Sequence, residues 1–167
     1  MASRSIVAVA KLMRRQGLTL VTAESCTAGL IAATLADLKG AGELLDCAFV
    51  TYSPEAKRRC LSVKAKTLAT CNLTSEAVAR EMALGALRRG NANLAVSNTG
   101  VTDDVDPDVP AGTQCYAWAF RQHRGDPWVL TGTRRFKGGR LAIRQQSAEY
   151  ALRHIAAAWR QWSATGR

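Results

Sequence analysis

A serine at position 25 stands in a short polar turn, TAESCTAG at residues 22–29, between two apolar segments. The first, LTLV at residues 18–21, is typical of a buried strand, and residues 30–38 have the pattern of a helix. A turn that opens a helix presents several backbone N–H groups, which attract negative charge. Ser25 could therefore be a nucleophile beside an anion-stabilising site, or a helix cap, which is the commoner role of serine at such a turn.

A serine nucleophile needs a base, and Lys57 is the candidate that the sequence offers. Ser53, Pro54 and Glu55 are typical of a helix start, so Lys57 is expected near the positive end of that helix. That position, the arginines that follow and burial would all lower the pKa of the lysine from its usual ~10.4. Tyr52 could relay a proton or orient the pair. The alternatives are a solvent-facing lysine and a core tyrosine.

The composition indicates one ordinary domain, predicted over residues 1–167, with 47% hydrophobic residues. The formal charge is +10, but it is dispersed along the chain in arginine pairs, and only 6% of the residues are aromatic. Neither a basic tail nor a stacking platform for nucleic acid is evident. Because no apolar run approaches the ~20 residues of a membrane span and no signal region is seen, we expect a cytoplasmic protein.

The cysteines and aspartates do not form a recognisable metal site. With no C-x-x-C spacing and only two histidines, reduced and mostly buried thiols are expected rather than a zinc site. The aspartates between residues 101 and 110 lack the spacing of a calcium loop, and Pro107 and Pro110 stiffen that segment. A solvated acidic loop is the favoured interpretation. The cysteines are Cys26, Cys47, Cys60, Cys71 and Cys115, and the aspartates are Asp103, Asp104, Asp106 and Asp108.

Alternating strand and helix patterns predict an α/β fold, a three-layer α/β/α sandwich with a mixed, mainly parallel sheet. Strands are predicted at residues 18–22, 47–52, 94–97, 113–121 and 128–136, and helices at 3–16, 27–38, from 54, 64–70, 74–89 and 140–162. Ligands of such sheets bind beyond the carboxyl ends of the strands. The turns at residue 25, residues 52–53 and residues 98–100 are therefore candidates for one functional rim.

Two sequence blocks, ESCTAG at residues 24–29 and FVTYSPEAK at residues 49–57, closely resemble the CinA C-terminal domain family, including the spacing between them. The resemblance continues through residues 74–83, 94–100, 112–113 and 136–140, so it spans nearly the whole chain. The characterised members of this family are nicotinamide-nucleotide amidases. The resemblance implies a small-molecule nucleotide substrate, no metal or other cofactor, and a dimer or higher homo-oligomer. From the dispersed charge and the lack of a long apolar run, neither nucleic acid nor a membrane is expected as a partner.

Carried over to this chain, the resemblance implies that Ser25 attacks the carboxamide carbon of nicotinamide mononucleotide. Lys57 would take the serine proton, and Tyr52 would assist. Ammonia would leave, and water would release nicotinate mononucleotide from the acyl-enzyme, while backbone N–H groups around residues 25–27 hold the oxyanion. The implied substrate-binding residues are Cys26, Thr27, Gly29, Thr99, Gly100 and Arg140.

The chain departs from the family pattern at several positions, and the departure after Gly100 bears on the substrate. Ala28 stands where the family has glycine, and Pro54 stands where it has asparagine. After Gly100, a glycine-rich I-A-G-P-x-G-G loop is replaced by a segment with four aspartates, which would repel a substrate phosphate if they faced it. Two alternatives therefore remain open: an amidase for an amide that lacks this phosphate, and a non-catalytic paralogue with a binding or stress-related role.

Overall fold

Five strands form one sheet in the order β2–β1–β3–β4–β5. The structure, a computed structural model, describes residues 3–165; of the predicted domain, positions 1, 2, 166 and 167 lie outside this range. The strands are β1 (Leu20–Glu24), β2 (Leu45–Val50), β3 (Leu94–Gly100), β4 (Thr113–Phe120) and β5 (Trp128–Arg135). The helices are α1 (Arg4–Gln16), α2 (Leu30–Ala36), α3 (Pro54–Leu61), α4 (Ala65–Thr70), α5 (Glu76–Arg89), α6 (Arg140–Arg153) and α7 (Ile155–Ser163), with a 3₁₀ turn at Ala41–Glu43.

The sheet is mixed, as predicted. β1 pairs in parallel with both β2 and β3, which forms a parallel half that is connected through helices. β4 pairs antiparallel with β3 and β5, because the chain returns through connections that contain no helix. The parallel half carries the rim on which the candidate site lies.

Helices cover both faces of the sheet, which confirms the three-layer architecture. Alternate side chains of a strand point to opposite faces, and here the two faces differ in size. Helices α1, α2, α6 and α7 pack against large side chains, namely Leu20, Leu94, Val96, Tyr116, Trp118 and Phe120. Helices α3, α4 and α5 cover mostly small ones, namely Val21, Ala23, Ala95, Cys115, Ala117 and Ala119. Helix α5 therefore lies close to the backbone of the sheet.

Several element boundaries differ from the predicted ones. β3 continues to Gly100 because its last residues pair with the start of β4, so part of the predicted loop is strand. Helix α2 begins at Leu30 rather than residue 27, because the preceding residues form a turn with positive φ angles. The predicted C-terminal helix is divided at His154 into α6 and α7. Helical hydrogen bonds continue on both sides of His154, so the apolar pattern of the sequence gives no sign of this division. Among residues 3–165, no helix is long and apolar enough to cross a membrane.

Helices α3 and α5 approach each other closely at Gly85. A methyl group at this position would overlap the backbone carbonyl oxygen of Leu61. Alanine normally stabilises a helix interior by up to ~1 kcal/mol relative to glycine. We expect Gly85→Ala instead to lower the free energy of unfolding by about 1–3 kcal/mol, measured by urea denaturation, because overpacking outweighs helix propensity.

Gly42→Ala is the matched control, because no atom of residues 3–165, apart from Gly42 and its two chain neighbours, lies within 4 Å of the position that its added methyl group would occupy. Its unfolding free energy should change by less than about 0.5 kcal/mol. Equal stability of the two variants would contradict the close packing of α3 on α5.

Candidate active site

Three chain segments meet where β1, β2 and β3 end. The strand register pairs Glu24 with Val50 on one side and with Asn98 on the other. The residues that follow each strand therefore emerge at one edge of the sheet, which is the rim predicted from the sequence. The turn after β1 carries Ser25, and the segment after β2 leads into α3, which carries Lys57.

Ser25 and Lys57 are in direct contact. The Nζ atom of Lys57 donates to the Ser25 Oγ atom over 2.9 Å. It also donates to the main-chain carbonyl oxygens of Thr51, over 2.8 Å, and Tyr52, over 3.2 Å. The side chain of Lys57 is buried, with 1% of its surface exposed, and Ser25 is 9% exposed. The lysine is therefore not solvent-facing, and no carboxylate of residues 3–165 pairs with it.

Burial lowers the pKa of Lys57 to about 8. The cause is desolvation, since taking an ammonium group out of water disfavours its charged form. The three oxygen atoms that surround Nζ are uncharged and do not restore the lost solvation. Roughly a tenth of the molecules then carry a neutral amine at this position at pH 7. A neutral amine can accept the proton of the serine hydroxyl.

The local sequence explains how α3 presents Lys57. Ser53 is the N-cap of α3, and its Oγ atom accepts from the Ala56 N–H over 3.1 Å. Pro54 occupies the first turn, where its missing N–H costs no hydrogen bond. The helix start predicted from these residues is confirmed. Lys57 follows within the first turn and points back toward the end of β1.

Asn98 of β3 holds the turn that carries Ser25. Its main-chain oxygen accepts from the Ser25 N–H over 2.9 Å, and its Oδ1 atom accepts from the Thr27 N–H over 3.1 Å. The Ala28 N–H donates to the Ser25 carbonyl oxygen. Among residues 3–165, the Cys26 N–H has no acceptor. Of the three N–H groups predicted around an oxyanion, that of Cys26 is therefore the one available within the described chain.

Glu24 occupies the start of α2, a role that the sequence reasoning missed. One carboxylate oxygen accepts from the N–H groups of Gly29 and Ile31, over 2.9 and 3.0 Å. The other accepts from the Ala32 N–H and the Thr22 hydroxyl, each over 3.0 Å. The side chain is fully buried. The positive end of α2 is thus filled by the chain's own carboxylate and is not open to a ligand.

The backbone after Thr27 runs through two left-handed residues. Gly29, at φ 95°, adopts this conformation without a steric penalty. Ala28, at φ 49°, carries a side chain in the same region, which costs about 1 kcal/mol. The departure from glycine at position 28 therefore introduces strain beside Ser25.

A second missed residue, Arg144 of α6, ties the turn from the other side. Its Nε atom donates to the Cys26 carbonyl oxygen over 2.9 Å, and its Nη2 atom donates to that of Thr27 over 3.1 Å. No local sequence signal distinguishes Arg144 from a surface arginine, because its partners are more than a hundred positions away. The turn is therefore held from β1, β3 and α6.

A pocket of about 160 Å³ lies beside this turn. Three of the six predicted substrate-binding residues line it: Cys26, Gly100 and Arg140. It is also lined by Tyr52, Val101, Thr102, Asp103 and Val105. Larger cavities, of about 480 and 550 Å³, lie between β5 and α6 and near the connection from β4 to β5, away from Ser25.

The other three predicted substrate-binding residues support the backbone. Gly29 donates to Glu24, and Thr99 is buried with its hydroxyl donating to the Leu73 carbonyl oxygen over 2.9 Å. Thr27 is fully buried, and within the described part of the chain its hydroxyl has no hydrogen-bond partner. None of these three lines the pocket.

Tyr52 reaches the site in two ways. Its carbonyl oxygen accepts from Lys57, whereas its side chain is exposed and its hydroxyl accepts from the Arg140 Nη2 atom over 3.0 Å. The contact with the serine–lysine pair is therefore made by the main chain. The hydroxyl lies at the edge of the pocket, on Arg140 of α6.

The acidic groups, histidines and thiols of the described chain are not gathered into a metal centre. Within residues 3–165, no group of three or more His, Cys, Asp and Glu side chains could hold a metal ion. All five cysteines are free thiols, and Cys26 and Cys115 are buried. Burial raises the pKa of the Cys26 thiol, so it is less acidic than an exposed cysteine.

The four donors on Glu24 predict a large cost for Glu24→Gln. An amide places an NH₂ group against backbone N–H donors in either orientation, which leaves buried donors unpaired. We expect the free energy of unfolding to fall by about 2–3 kcal/mol in urea denaturation. Glu43→Gln is the control: Glu43 is exposed and pairs with Arg14 over 3.8 Å, so the same change there should cost less than about 1 kcal/mol. Similar losses in the two variants would refute the role of Glu24.

Comparisons with known proteins identify the family of this chain. A model of the CinA C-terminal domain family matches residues 3–159. The nicotinamide-nucleotide amidohydrolase PncC of Shigella flexneri is 37% identical over 156 residues, which cover 92% of this chain and 90% of that protein. A CinA-like protein of Chlorobium phaeobacteroides is 39% identical over 149 residues, which cover 88% of this chain but 36% of that protein.

Solved structures show the same fold. The crystal structure of competence damage-inducible protein A from Klebsiella pneumoniae has a TM-score of 0.87 at 34% identity, over 95% of this chain and 96% of that chain. The competence/damage-inducible protein from Agrobacterium tumefaciens has a TM-score of 0.84 at 35% identity, over 94% and 97% of the two chains. The family match over nearly the whole sequence shows that this chain belongs to the CinA C-terminal domain family.

Proposed function

We propose that this protein is an amidohydrolase that deamidates nicotinamide mononucleotide to nicotinate mononucleotide and ammonia. The observation that carries the proposal is the buried amine of Lys57, 2.9 Å from the hydroxyl oxygen of Ser25. A serine with a base in hydrogen-bond reach is the arrangement required for acyl transfer. The names of relatives, such as the nicotinamide-nucleotide amidohydrolase of Shigella flexneri, support this class of substrate.

In the first half of the reaction, the neutral amine of Lys57 accepts the Ser25 proton as Oγ attacks the carboxamide carbon. The carbonyl oxygen becomes an oxyanion, for which the free Cys26 N–H is the available donor of the turn. The protonated lysine then passes its proton to the amide nitrogen. The C–N bond breaks, ammonia leaves, and an ester joins the acyl group to Ser25.

In the second half, Lys57 accepts a proton from a water molecule that attacks the ester. The proton returns to Oγ as the C–O bond breaks, which regenerates Ser25 and releases the carboxylic acid. One amide and one water thus give one acid and one ammonia. The two main-chain oxygens on Nζ, from Thr51 and Tyr52, keep the amine aimed at Ser25 throughout.

Tyr52 assists at the edge of the pocket. Its hydroxyl is held by Arg140, and both residues line the pocket together with Cys26, which follows Ser25 in the turn. In this proposal, Tyr52 contacts the bound substrate through its side chain and supports Lys57 through its carbonyl oxygen. Arg140 supplies a positive charge for an anionic group of the substrate.

A second candidate keeps the amidase chemistry but changes the substrate to an amide without a phosphate. The observation that favours it is the ion pair between Arg140 and Asp103, whose Nη1 and Oδ2 atoms are 3.0 Å apart. The guanidinium that would meet a phosphate already meets a carboxylate.

The mechanism predicts near-complete loss of activity in Ser25→Ala and in Lys57→Ala. With nicotinamide mononucleotide as substrate, kcat/KM should fall by about a thousandfold or more in each variant, measured as ammonia and nicotinate mononucleotide formed. The double variant should be no slower than either single variant, because the two residues act as a unit. Lys66→Ala, which changes an exposed lysine of α4, should retain activity.

Two results would contradict this assignment in different ways. Turnover that persists in Ser25→Ala would exclude the serine mechanism. No turnover by the unchanged protein at high concentration would exclude this substrate.

The lowered pKa of Lys57 predicts how the rate depends on pH. The reactive form is the neutral amine, so kcat/KM should rise with pH and level off above the lysine pKa of about 8. Below that pH, the rate should fall about tenfold per unit as the amine becomes protonated. The profile is measured from about pH 6 to about pH 10, with circular dichroism to confirm that the fold persists. A rate that is flat or falls over this range would exclude Lys57 as the base.

A further inference from the structure

Arg140 is held from two sides at the edge of the pocket. Its Nη1 atom donates to the Thr102 hydroxyl over 2.7 Å and to the Asp103 carboxylate over 3.0 Å. Its Nη2 atom donates to the Tyr52 hydroxyl over 3.0 Å. Both terminal nitrogens are therefore engaged, one of them by a negative charge. All four residues line the pocket, which is also lined by Cys26, the residue after Ser25.

The position of Asp103 is fixed by its neighbours. The Thr102 hydroxyl, which is largely buried, donates to the Asp103 Oδ2 atom over 2.7 Å. Val101, one residue earlier, is anchored by hydrogen bonds with Gly112 and Thr113 at the start of β4. The Thr102 hydroxyl and the Arg140 guanidinium together lower the pKa of the Asp103 carboxyl, so it is charged at neutral pH.

The other three aspartates of this loop do not face the pocket. Asp104 accepts from the Ala111 N–H over 3.3 Å, and Asp106 accepts from the side-chain amide of Asn72 over 2.6 Å and from the Asp108 N–H over 2.9 Å. Asp108 is exposed, and only Asp103 among the four lines the pocket. Of the four aspartates that were expected to repel a phosphate if they faced it, Asp103 is therefore the one that lines the pocket.

The pocket is small for a nucleotide. Its volume of about 160 Å³ is below the ~300–1,000 Å³ that is typical of small-molecule sites. A nucleotide must therefore displace some of the residues at its edge. The ion pair is a suitable point of opening, since the side chains of Arg140 and Asp103 are 55% and 56% exposed and such pairs are weak.

We propose that Asp103 is a specificity-determining residue of this site, because its carboxylate competes with the anionic group of a substrate for Arg140. This inference rests on the proposed amidase function. A phosphate monoester must displace the Asp103 carboxylate and then lie near a like charge. An amide with an uncharged hydroxyl at that end meets neither cost. Asp103 therefore shifts the preference of the pocket away from phosphate-bearing amides.

Ligand binding to Ser25→Ala protein tests the proposal without turnover. Isothermal titration calorimetry is used with nicotinamide mononucleotide and with nicotinamide riboside, which lacks only the phosphate. Adding Asp103→Asn should tighten binding of the mononucleotide by about two- to tenfold, because one ion pair and one repulsion are removed. Binding of the riboside should change by less than about twofold.

Two further variants make the test specific. Asp108→Asn removes the same charge from the same loop but not from the pocket, so it should leave the ratio of the two affinities unchanged. When Arg140 is replaced by alanine, the effect of Asp103→Asn on the mononucleotide should shrink, as a double-mutant cycle requires of a direct competition. Unchanged mononucleotide binding in Asp103→Asn, equal gains for both ligands, or an equal effect of Asp108→Asn would overturn the proposal.

Failure of the proposed function can be told apart from failure of this inference. If neither pyridine compound binds to the Ser25→Ala protein, the assigned substrate is wrong. Inorganic phosphate is then the probe, followed through the NMR signal of the Arg140 Nε–H group. Asp103→Asn protein should bind phosphate more tightly than its parent, and equal binding would overturn the role of Asp103.

Discussion

The site depends on the buried carboxylate of Glu24 and on the hydrogen bonds that it accepts. It ends β1 and at the same time closes the start of α2, with four hydrogen bonds in the protein interior. The chain between these two elements has little freedom left, and Asn98 and Arg144 fix what remains. Ser25 is therefore placed by buried polar contacts, which are directional, rather than by apolar packing alone. The same carboxylate denies the end of α2 to any ligand.

Lys57 is also buried, and its environment disfavours the charged form of its amine. Its amine donates to three oxygen atoms that carry no full charge, so within residues 3–165 no negative charge offsets the loss of water. The folded chain supplies the energy that keeps this group easily deprotonated, because the sheet edge and the capped start of α3 hold it in place. Burying the amine costs stability, and strongly shifted pKa values of this kind are common at functional sites.

The sequence was sufficient for the layers, the mixed sheet and the pairing of Ser25 with Lys57, because these follow from local patterns and two matching blocks. The partners of the turn could not be predicted in the same way. Arg144 and the Thr27 carbonyl it contacts are 117 positions apart, and their types suit many surface roles. From the sequence, the acidic loop could be recognised only by its composition. Which aspartate faces Arg140 depends on hydrogen bonds within the loop, such as that from the Ala111 N–H to Asp104.

The small side chains beneath α5 have a consequence for the distance between Ser25 and Lys57. Small side chains separate α5 from the sheet, and Gly85 lets α3 pack directly on α5. The distance of α3 from the sheet therefore depends on close contacts in these two layers. This packing therefore determines how far the side chain of Lys57 must extend to contact Ser25 at the end of β1. Substitutions there, remote from the pocket, would change the distance between the Lys57 amine and the Ser25 hydroxyl.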